Sequence, residues 1–125
     1  MRKIKIISDS SCDLFDLKNV EFSSAPMKII TADKEFVDDI SLDVDGMVDY
    51  LYQYKGKSTS SCPNTTDWLE AFGDADDIFC VTITSGLSGS CNSATMAKDE
   101  YESAHPDRKV FVIDSLSTGP EMALI

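Results

Sequence analysis

The stretch Asp77-Ile-Phe-Cys-Val-Thr-Ile-Thr-Ser-Gly-Leu-Ser-Gly-Ser90 contains a strand-to-helix transition, which is the clearest indication of the fold class. Residues 77–84 form a continuous run of apolar and β-branched residues, which is typical of a strand buried on both faces. A serine- and glycine-rich segment then breaks the strand. A helix is predicted after it, because residues recur at helical spacing at Ala94, Ala97, Tyr101 and Ala104. His105-Pro106 is expected to end that helix.

Two more buried strands are predicted on either side of this unit. Lys3–Ile7 is a β-branched run that opens into Ser8–Ser11, and Lys109–Asp114 is a similar run that opens into Ser115–Thr118 and the start of a helix. Val20–Thr31 is predicted to be extended around Pro26. Lys34–Val37 is a candidate hairpin partner for its end.

Two further helices are indicated by apolar spacing. Within Ser41–Tyr54, apolar residues follow Val44 after three, four and seven positions. They form one apolar stripe of Val44, Met47, Val48 and Leu51. Asp43 and Asp45 are expected in its first turn, and Gly56 at its C-cap. A polar segment, Lys57–Asn64, precedes a short helix that Thr66 or Asp67 can cap. Trp68 and Phe72 share a face of that helix.

Strands that alternate with helices predict an α/β fold with a mostly parallel sheet flanked by helices. The length of 125 residues fits a single core. The last residues, Glu121–Ile125, form an apolar helix start without a cap. We therefore expect residues 1–125 to be one domain of a longer protein, truncated within a helix.

The net charge of −11 and the pI near 4.3 limit the classes of partner. DNA, RNA and anionic membrane surfaces are bound mainly through Lys and Arg. The excess of acidic over basic residues therefore disfavours each of them as a partner. No apolar run is long enough to span a bilayer, and no secretory leader is expected. The four cysteines lack a CxxC pair, which favours reduced thiols over a metal site and predicts a cytoplasmic protein.

Hydroxyl side chains cluster at four predicted strand ends, where open α/β sheets bind ligands. These segments are Ser8–Ser11, Ser58–Ser61, Thr82–Ser90 and Ser115–Thr118. The third leads into a helix, so free backbone N–H groups at a positive helix end could hold a small anion. It lacks the lysine of a phosphate-binding P-loop and the G-x-G-x-x-G of a dinucleotide site. A carboxylate or a single phosphoryl group fits better, and a plain serine N-cap is the structural alternative.

Two other classes of function stay open at this point. An enzyme could use Ser88 or Ser61 as a nucleophile, but Ser90 replaces the last glycine of a nucleophile elbow. The only histidine, His105, stands before Pro106 and is a poor candidate for a general base. The second alternative is an α/β interaction module in which the serine-rich loops only cap helices.

The ordered set of these motifs resembles the DegV family of fatty-acid-binding proteins. Residues 8–14 resemble its S-D-S-T/S-x-D-L opening, and residues 60–64 its T-S-x-P-S segment. Residues 84–94 resemble its S-x-L-S-G-T-Y-x-S-A motif, and residues 112–119 its V-x-D-S-x-S-x-x-x-G motif. Each motif is weak alone, but four in the same order cover nearly the whole chain.

The resemblance implies the N-terminal domain of a two-domain protein that encloses a long-chain fatty acid in an apolar tunnel. Carried over by motif, the groups that hold the carboxylate are Ser60, Ser61, Ser85, Ser88 and the Gly89 amide. It implies a non-catalytic carrier without cofactor or metal, and a fatty acid kinase as a partner that phosphorylates the carboxylate. Three positions depart from the family pattern, namely Ser60 for Thr, Asn64 for Ser and Cys91 for Tyr.

Overall fold

A computed structural model describes residues 2–124, excluding the side chain of Ala123. Its centre is a four-stranded parallel sheet in the order β2-β1-β6-β7. The strands are β1 (Ile4–Asp9), β2 (Glu21–Ala25), β6 (Asp77–Thr82) and β7 (Lys109–Asp114). The predicted α/β fold with a mostly parallel sheet is confirmed. Ile125, the last residue of the predicted C-terminal helix, lies outside the described part.

Two helices cover one face of this sheet and form the main core. They are α2 (Thr65–Phe72) and α3 (Ser90–Ala104). Trp68 and Phe72 of α2 are fully buried, and the Phe72 ring meets Tyr101 of α3 edge to face with centroids 5.2 Å apart. Burying each such side chain contributes about 1.5–3 kcal/mol. The predicted faces of both helices are confirmed, except that Ala104 is exposed.

The parallel register brings the ends of three strands to one edge of the sheet. Ile7 of β1 pairs with Cys80 of β6, and Cys80 pairs with Val112 of β7. Ile7 and Cys80 lie in the main core, and this burial raises the pKa of the Cys80 thiol. Because all strands run in the same direction, the segments after β1, β6 and β7 emerge side by side.

A second, antiparallel sheet in the order β4-β3-β5 stands beside the main one. It consists of β3 (Lys28–Ile30), β4 (Glu35–Val37) and β5 (Thr59–Ser61). The hairpin of β3 with β4 confirms the predicted pairing. The extended region predicted within Val20–Thr31 is divided between the two sheets, because the chain leaves the main sheet after Ala25 and enters the small sheet at Lys28. The polar segment Lys57–Asn64 also contains a strand, so Ser60 and Ser61 lie within a strand and not after one.

Helix α1 (Val44–Gln53) packs over the small sheet. The Tyr50 ring lies 5.5 Å from Phe36 of β4, and the Tyr54 hydroxyl accepts a hydrogen bond from the Ala32 amide over 3.1 Å. None of the residues of α1 is buried, and Val44 is 54% exposed. Its apolar stripe therefore does not enter a core, unlike the stripes of α2 and α3.

The helix ends correct several expected caps. Asp43 is the N-cap of α1, since its side chain accepts from the Gly46 amide, and the helix ends at Gln53 without using Gly56. Asn64, and not Thr66 or Asp67, caps α2. It forms a capping box in which Asp67 accepts from the Asn64 amide. The expected stop of α3 at His105 is confirmed. The helix expected at the C-terminus is a 3₁₀ helix over Pro120–Leu124.

Candidate functional site

The carboxyl edge of the main sheet collects three of the four hydroxyl-rich segments. The segments after β6 and β7 are joined by backbone hydrogen bonds. The Ser115 amide donates to the Thr82 carbonyl over 3.1 Å, and the Thr84 amide donates to the Ser117 carbonyl over 2.8 Å. The fourth segment reaches the same region through β5. The edge therefore brings together segments that are far apart in the chain.

The loop between β6 and α3, residues 83–89, presents free backbone donors. Leu87 donates its N–H to the Thr84 carbonyl over 3.2 Å, and Ser90 donates its N–H to the Ser88 hydroxyl over 3.2 Å. Within residues 2–124, the N–H groups of Ser88 and Gly89 have no acceptor. They stand at the N-terminus of the 15-residue helix α3, where the helix dipole favours an anion.

A cavity of about 400 Å³, here called the serine cavity, lies between this loop and β5. Four of the five residues expected at a carboxylate site line it, namely Ser60, Ser61, Ser88 and Gly89. The rest of its wall consists of Met27, Cys62, Ile83 and Leu87. A Cβ added to Gly89 would lie 3.4 Å from the Cys62 Sγ, so glycine keeps this part of the cavity open.

Strand pairing and one side-chain bridge place the 60–63 segment in this wall. Ser61 is paired with Lys28 of β3 in the antiparallel register. Two residues later, the Pro63 carbonyl accepts a hydrogen bond from the Ser93 hydroxyl over 2.6 Å. Ser93 lies in the first turn of α3, so this bond fixes the segment against the helix that follows Gly89.

A second cavity of about 400 Å³, here called the apolar cavity, lies between the small sheet and α1. Its wall is mainly apolar and is lined by Met27, Ile29, Phe36, Leu42, Val44, Met47, Lys28, Asp13, Asp38 and Ser60. Met27 and Ser60 line both cavities, so the two spaces are adjacent. Two residues of the half-exposed stripe of α1, Val44 and Met47, face this cavity.

Ser85 is separated from the other four expected residues. Its hydroxyl and its amide both donate to the Asp114 carboxylate at the end of β7. The Ser85 hydroxyl holds the pKa of the Asp114 carboxyl below its usual range. Ser85 does not line the serine cavity. Its expected contact with a carboxylate stays a prediction.

Several residues at this edge were not singled out from the sequence. Met27 and Cys62 carry no hydroxyl and form no motif that indicates a binding role. Asp9 and Ser93 did stand inside the quoted motifs, but nothing in the sequence separated positioning residues from lining residues. Asp9 is fully buried at the end of β1, and Ser93 links α2, α3 and Pro63.

Two other surface cavities have less suitable chemistry for a carboxylate. One of about 420 Å³ is lined by four acidic residues, Asp38, Asp39, Asp67 and Glu70, which would repel an anion. The other, of about 650 Å³, runs along β7, and its lining contains no serine or glycine. Its Lys98 is already ion-paired with Glu102 over 2.7 Å.

The arrangement also bears on the nucleophile hypothesis. His105 caps the C-terminus of α3, whereas Ser88 precedes its N-terminus. The 15 residues of α3 span about 22 Å at 1.5 Å per residue. A general base must lie within hydrogen-bonding reach of its nucleophile, so His105 cannot activate Ser88.

The described residues contain neither a metal-binding cluster nor a membrane-spanning helix. Over residues 2–124, no group of three or more His, Cys, Asp or Glu side chains is arranged to hold a metal ion. Over the same range, no helix has both the length and the apolar composition that crossing a bilayer requires. The four cysteines are free, with Cys12 and Cys80 buried as expected and Cys62 and Cys91 partly exposed.

Comparison with curated proteins gives relatives of more than twice this length. A DegV domain-containing protein of Streptococcus pneumoniae is 50% identical over 125 residues, which is 97% of this chain and 44% of the relative. A DegV domain-containing protein of Streptococcus gordonii is 44% identical over the same coverage. The chain thus spans less than half the length of the curated relatives it matches.

Solved structures agree with the fold. A DegV family protein from Eubacterium eligens loaded with heptadecanoic acid superposes with a TM-score of 0.94 at 48% identity, covering 97% of this chain and 44% of that one. The Streptococcus pneumoniae fatty acid kinase B3 protein loaded with linoleic acid gives 0.89 at 50% identity, covering 94% and 43%. The family model described as "Uncharacterised protein, DegV family" matches residues 3–125. This chain belongs to the DegV family.

Proposed function

We propose that this protein binds a long-chain fatty acid, with the carboxylate in the serine cavity and the acyl chain in the apolar cavity. The observation that carries the proposal is the adjacency of these two spaces through Met27 and Ser60. A fatty acid needs polar donors at one end and a continuous apolar wall from the next carbon onward. The serine cavity offers the donors, and the adjacent apolar cavity offers a mainly apolar wall, which supports this order.

Neutral donors would hold the carboxylate. Ser60, Ser61 and Ser88 contribute hydroxyls, while Ser88 and Gly89 contribute the unpaired N–H groups before α3. A hydrogen bond to an ionised group contributes about 1.5–3 kcal/mol, so a few such donors can replace a counter-charge. No Lys or Arg lines the serine cavity. Ser85 is not assigned a direct contact in this proposal, because Asp114 already engages it.

The acyl chain would gain its affinity from burial. Each methylene removed from water contributes about 0.8 kcal/mol. Ile29, Phe36 and Met47 line the apolar cavity from three different elements, β3, β4 and α1. Methionines, here Met27 and Met47, have flexible side chains that can adapt to the shape of the chain.

The ligands of the solved relatives support this choice of substrate class. The Eubacterium eligens and Streptococcus pneumoniae proteins were solved with heptadecanoic acid and linoleic acid. Those chains are more than twice as long as this one. We therefore propose that residues 1–125 form the N-terminal domain of a two-domain protein, and that the second domain completes the enclosure of the acyl chain.

The proposed role is that of a carrier which presents the carboxylate to a fatty acid kinase. The loop above the serine cavity is open to solvent, and Leu87 at its tip is 76% exposed. In residues 1–125 alone, this side of the proposed carboxylate site is therefore open to a partner enzyme. The Streptococcus pneumoniae relative carries the name of a fatty acid kinase B3 protein. Free cysteines and an acidic composition support a cytoplasmic location.

Native mass spectrometry of the full-length protein purified from cells tests the proposal. The expected result is a mass increment equal to one fatty acid, which disappears on denaturation. A protein without this increment, combined with ester hydrolysis that Ser88→Ala abolishes, would favour the nucleophile hypothesis instead. Addition of a fatty acid kinase and ATP to the loaded protein should then yield an acyl phosphate.

A further inference from the structure

Asp9, the last residue of β1, is a buried carboxylate without a counter-charge. It is 0% exposed. None of the ion pairs among residues 2–124 involves it. A buried carboxylate is costly unless hydrogen-bond donors surround it. The identity of its donors therefore shows what this residue holds in place.

Two of these donors stand at the two ends of the loop that borders the serine cavity. The Ile83 N–H, directly after β6, donates to Asp9 Oδ2 over 2.8 Å. The Ser90 hydroxyl, in the first residue of α3, donates to the same oxygen over 2.7 Å. One carboxylate oxygen thus joins the start and the end of the loop.

The third donor belongs to a different part of the chain. The Ser11 hydroxyl donates to Asp9 Oδ1 and also contacts the Met122 sulfur at 3.2 Å. Ser11 lies in the 3₁₀ turn after β1 and not in the loop. Three protein donors therefore hold both oxygens of the Asp9 carboxylate inside the fold.

We propose that Asp9 is a positioning residue for carboxylate recognition. By holding Ile83 and Ser90 together, it keeps the Ser88 and Gly89 N–H groups directed at the serine cavity. The proposal rests on the proposed function, because it assigns Asp9 to the selectivity of that site. It predicts that loss of the Asp9 contacts with the loop reduces the preference for an ionised head group, while acyl-chain affinity is retained.

The test compares Ser90→Ala with Ser11→Ala in the full-length protein. Each variant removes one donor from Asp9, but only Ser90 belongs to the loop. The measurement is the ratio of the affinities for palmitic acid and its methyl ester, which share the chain and differ in charge. We expect Ser90→Ala to lower this ratio by about tenfold, the effect of one hydrogen bond to a charged group, and Ser11→Ala to leave it unchanged. Asp9→Asn should lower the ratio further.

General destabilisation is controlled by Val110→Ala, a core change in β7 that should lower the melting temperature without changing the ratio. If Asp9→Asn does not fold, the affinity ratio of Ser90→Ala alone tests the role of Asp9. A wild-type ratio that is preserved in Ser90→Ala, or lost equally in Ser11→Ala, overturns the role of Asp9. A wild-type protein that binds neither compound overturns the proposed function instead, so the two failures are distinguishable.

Discussion

The indole N–H of Trp68 donates a hydrogen bond to the Ser93 hydroxyl over 3.1 Å. Trp68 is fully buried in α2, and the Ser93 hydroxyl in turn donates a hydrogen bond to the Pro63 carbonyl. These two hydrogen bonds connect the core between α2 and α3 to the segment that carries Ser60 and Ser61. The geometry of the serine cavity is therefore coupled to the packing of α2 on α3.

Ser93→Ala should destabilise the protein, because it leaves the buried Trp68 N–H and the Pro63 carbonyl without a partner. We expect a loss of about 1–3 kcal/mol in the free energy of unfolding. Urea denaturation followed by tryptophan fluorescence measures it. Ser103→Ala, at an exposed position of the same helix, is the matched control. If Ser93→Ala lowers the free energy of unfolding no more than the control does, the two hydrogen bonds of Ser93 do not contribute to stability.

Ser61→Ala should weaken fatty-acid binding by about 1–3 kcal/mol, since an anion would be left short of one donor. Isothermal titration with palmitic acid measures the change. Ser58→Ala, two residues before Ser60 and outside the serine cavity, should bind like the wild type. Equal affinity of the Ser61 variant and the wild type would remove Ser61 from the site.

Met47→Trp should reduce the affinity for long acyl chains more than for short ones. The larger side chain would fill part of the apolar cavity, and space lost for one methylene changes affinity by at least about tenfold. The comparison uses a series of saturated acids of increasing length. Val48→Trp on the same helix is the control, because Val48 is exposed and does not line the cavity. An equal effect of both variants would speak against this position for the acyl chain.

Glu102→Gln should lower stability near neutral pH but not in acid. Hydrogen bonds from Lys98 and the Val110 amide lower the pKa of the Glu102 carboxyl below its ordinary value of 4.5. The stabilisation is present above that value and disappears as the pH falls through the lowered pKa. The expected difference is about 0.3–1 kcal/mol, because the pair is partly exposed and screened.

Unfolding curves at pH 7 and pH 3 measure this dependence. Glu100→Gln, an exposed acid on the same helix, is the control. A Glu102→Gln deficit of the same size at both pH values would show that the charge of Glu102 does not contribute.

The elements that were predicted correctly are those whose own residues show a regular apolar pattern. The strand at Asp77–Thr82 and the helix that begins at Ser90 were both expected, since a buried parallel strand is apolar throughout and a helix repeats its apolar residues every three to four positions. Strand β5 escaped prediction because Thr59–Ser61 is polar. It forms through pairing with Lys28–Ile30, nearly thirty residues earlier in the chain.

Helix α1 shows why the same pattern can have two outcomes. The stripe through Val44 and Met47 predicted a helix correctly, and a stripe normally indicates a buried face. Here the stripe borders a cavity, which periodicity cannot distinguish from a packed core. The distinction depends on what lies opposite the helix. That is a property of distant residues such as Ile29 and Phe36.

The parallel α/β sheet, the serine-rich loops and the family of the motifs could all be predicted from the amino-acid sequence, because all three depend on local pattern and order. Which serines share a cavity depends on the folded chain. It brought Ser61 to Ser88 through strand pairing and turned Ser85 away to Asp114. It also made Asp9 the residue that joins both ends of the loop. Hydrogen bonds between residues more than seventy positions apart have no signature in local sequence, since their geometry exists only after the chain has folded.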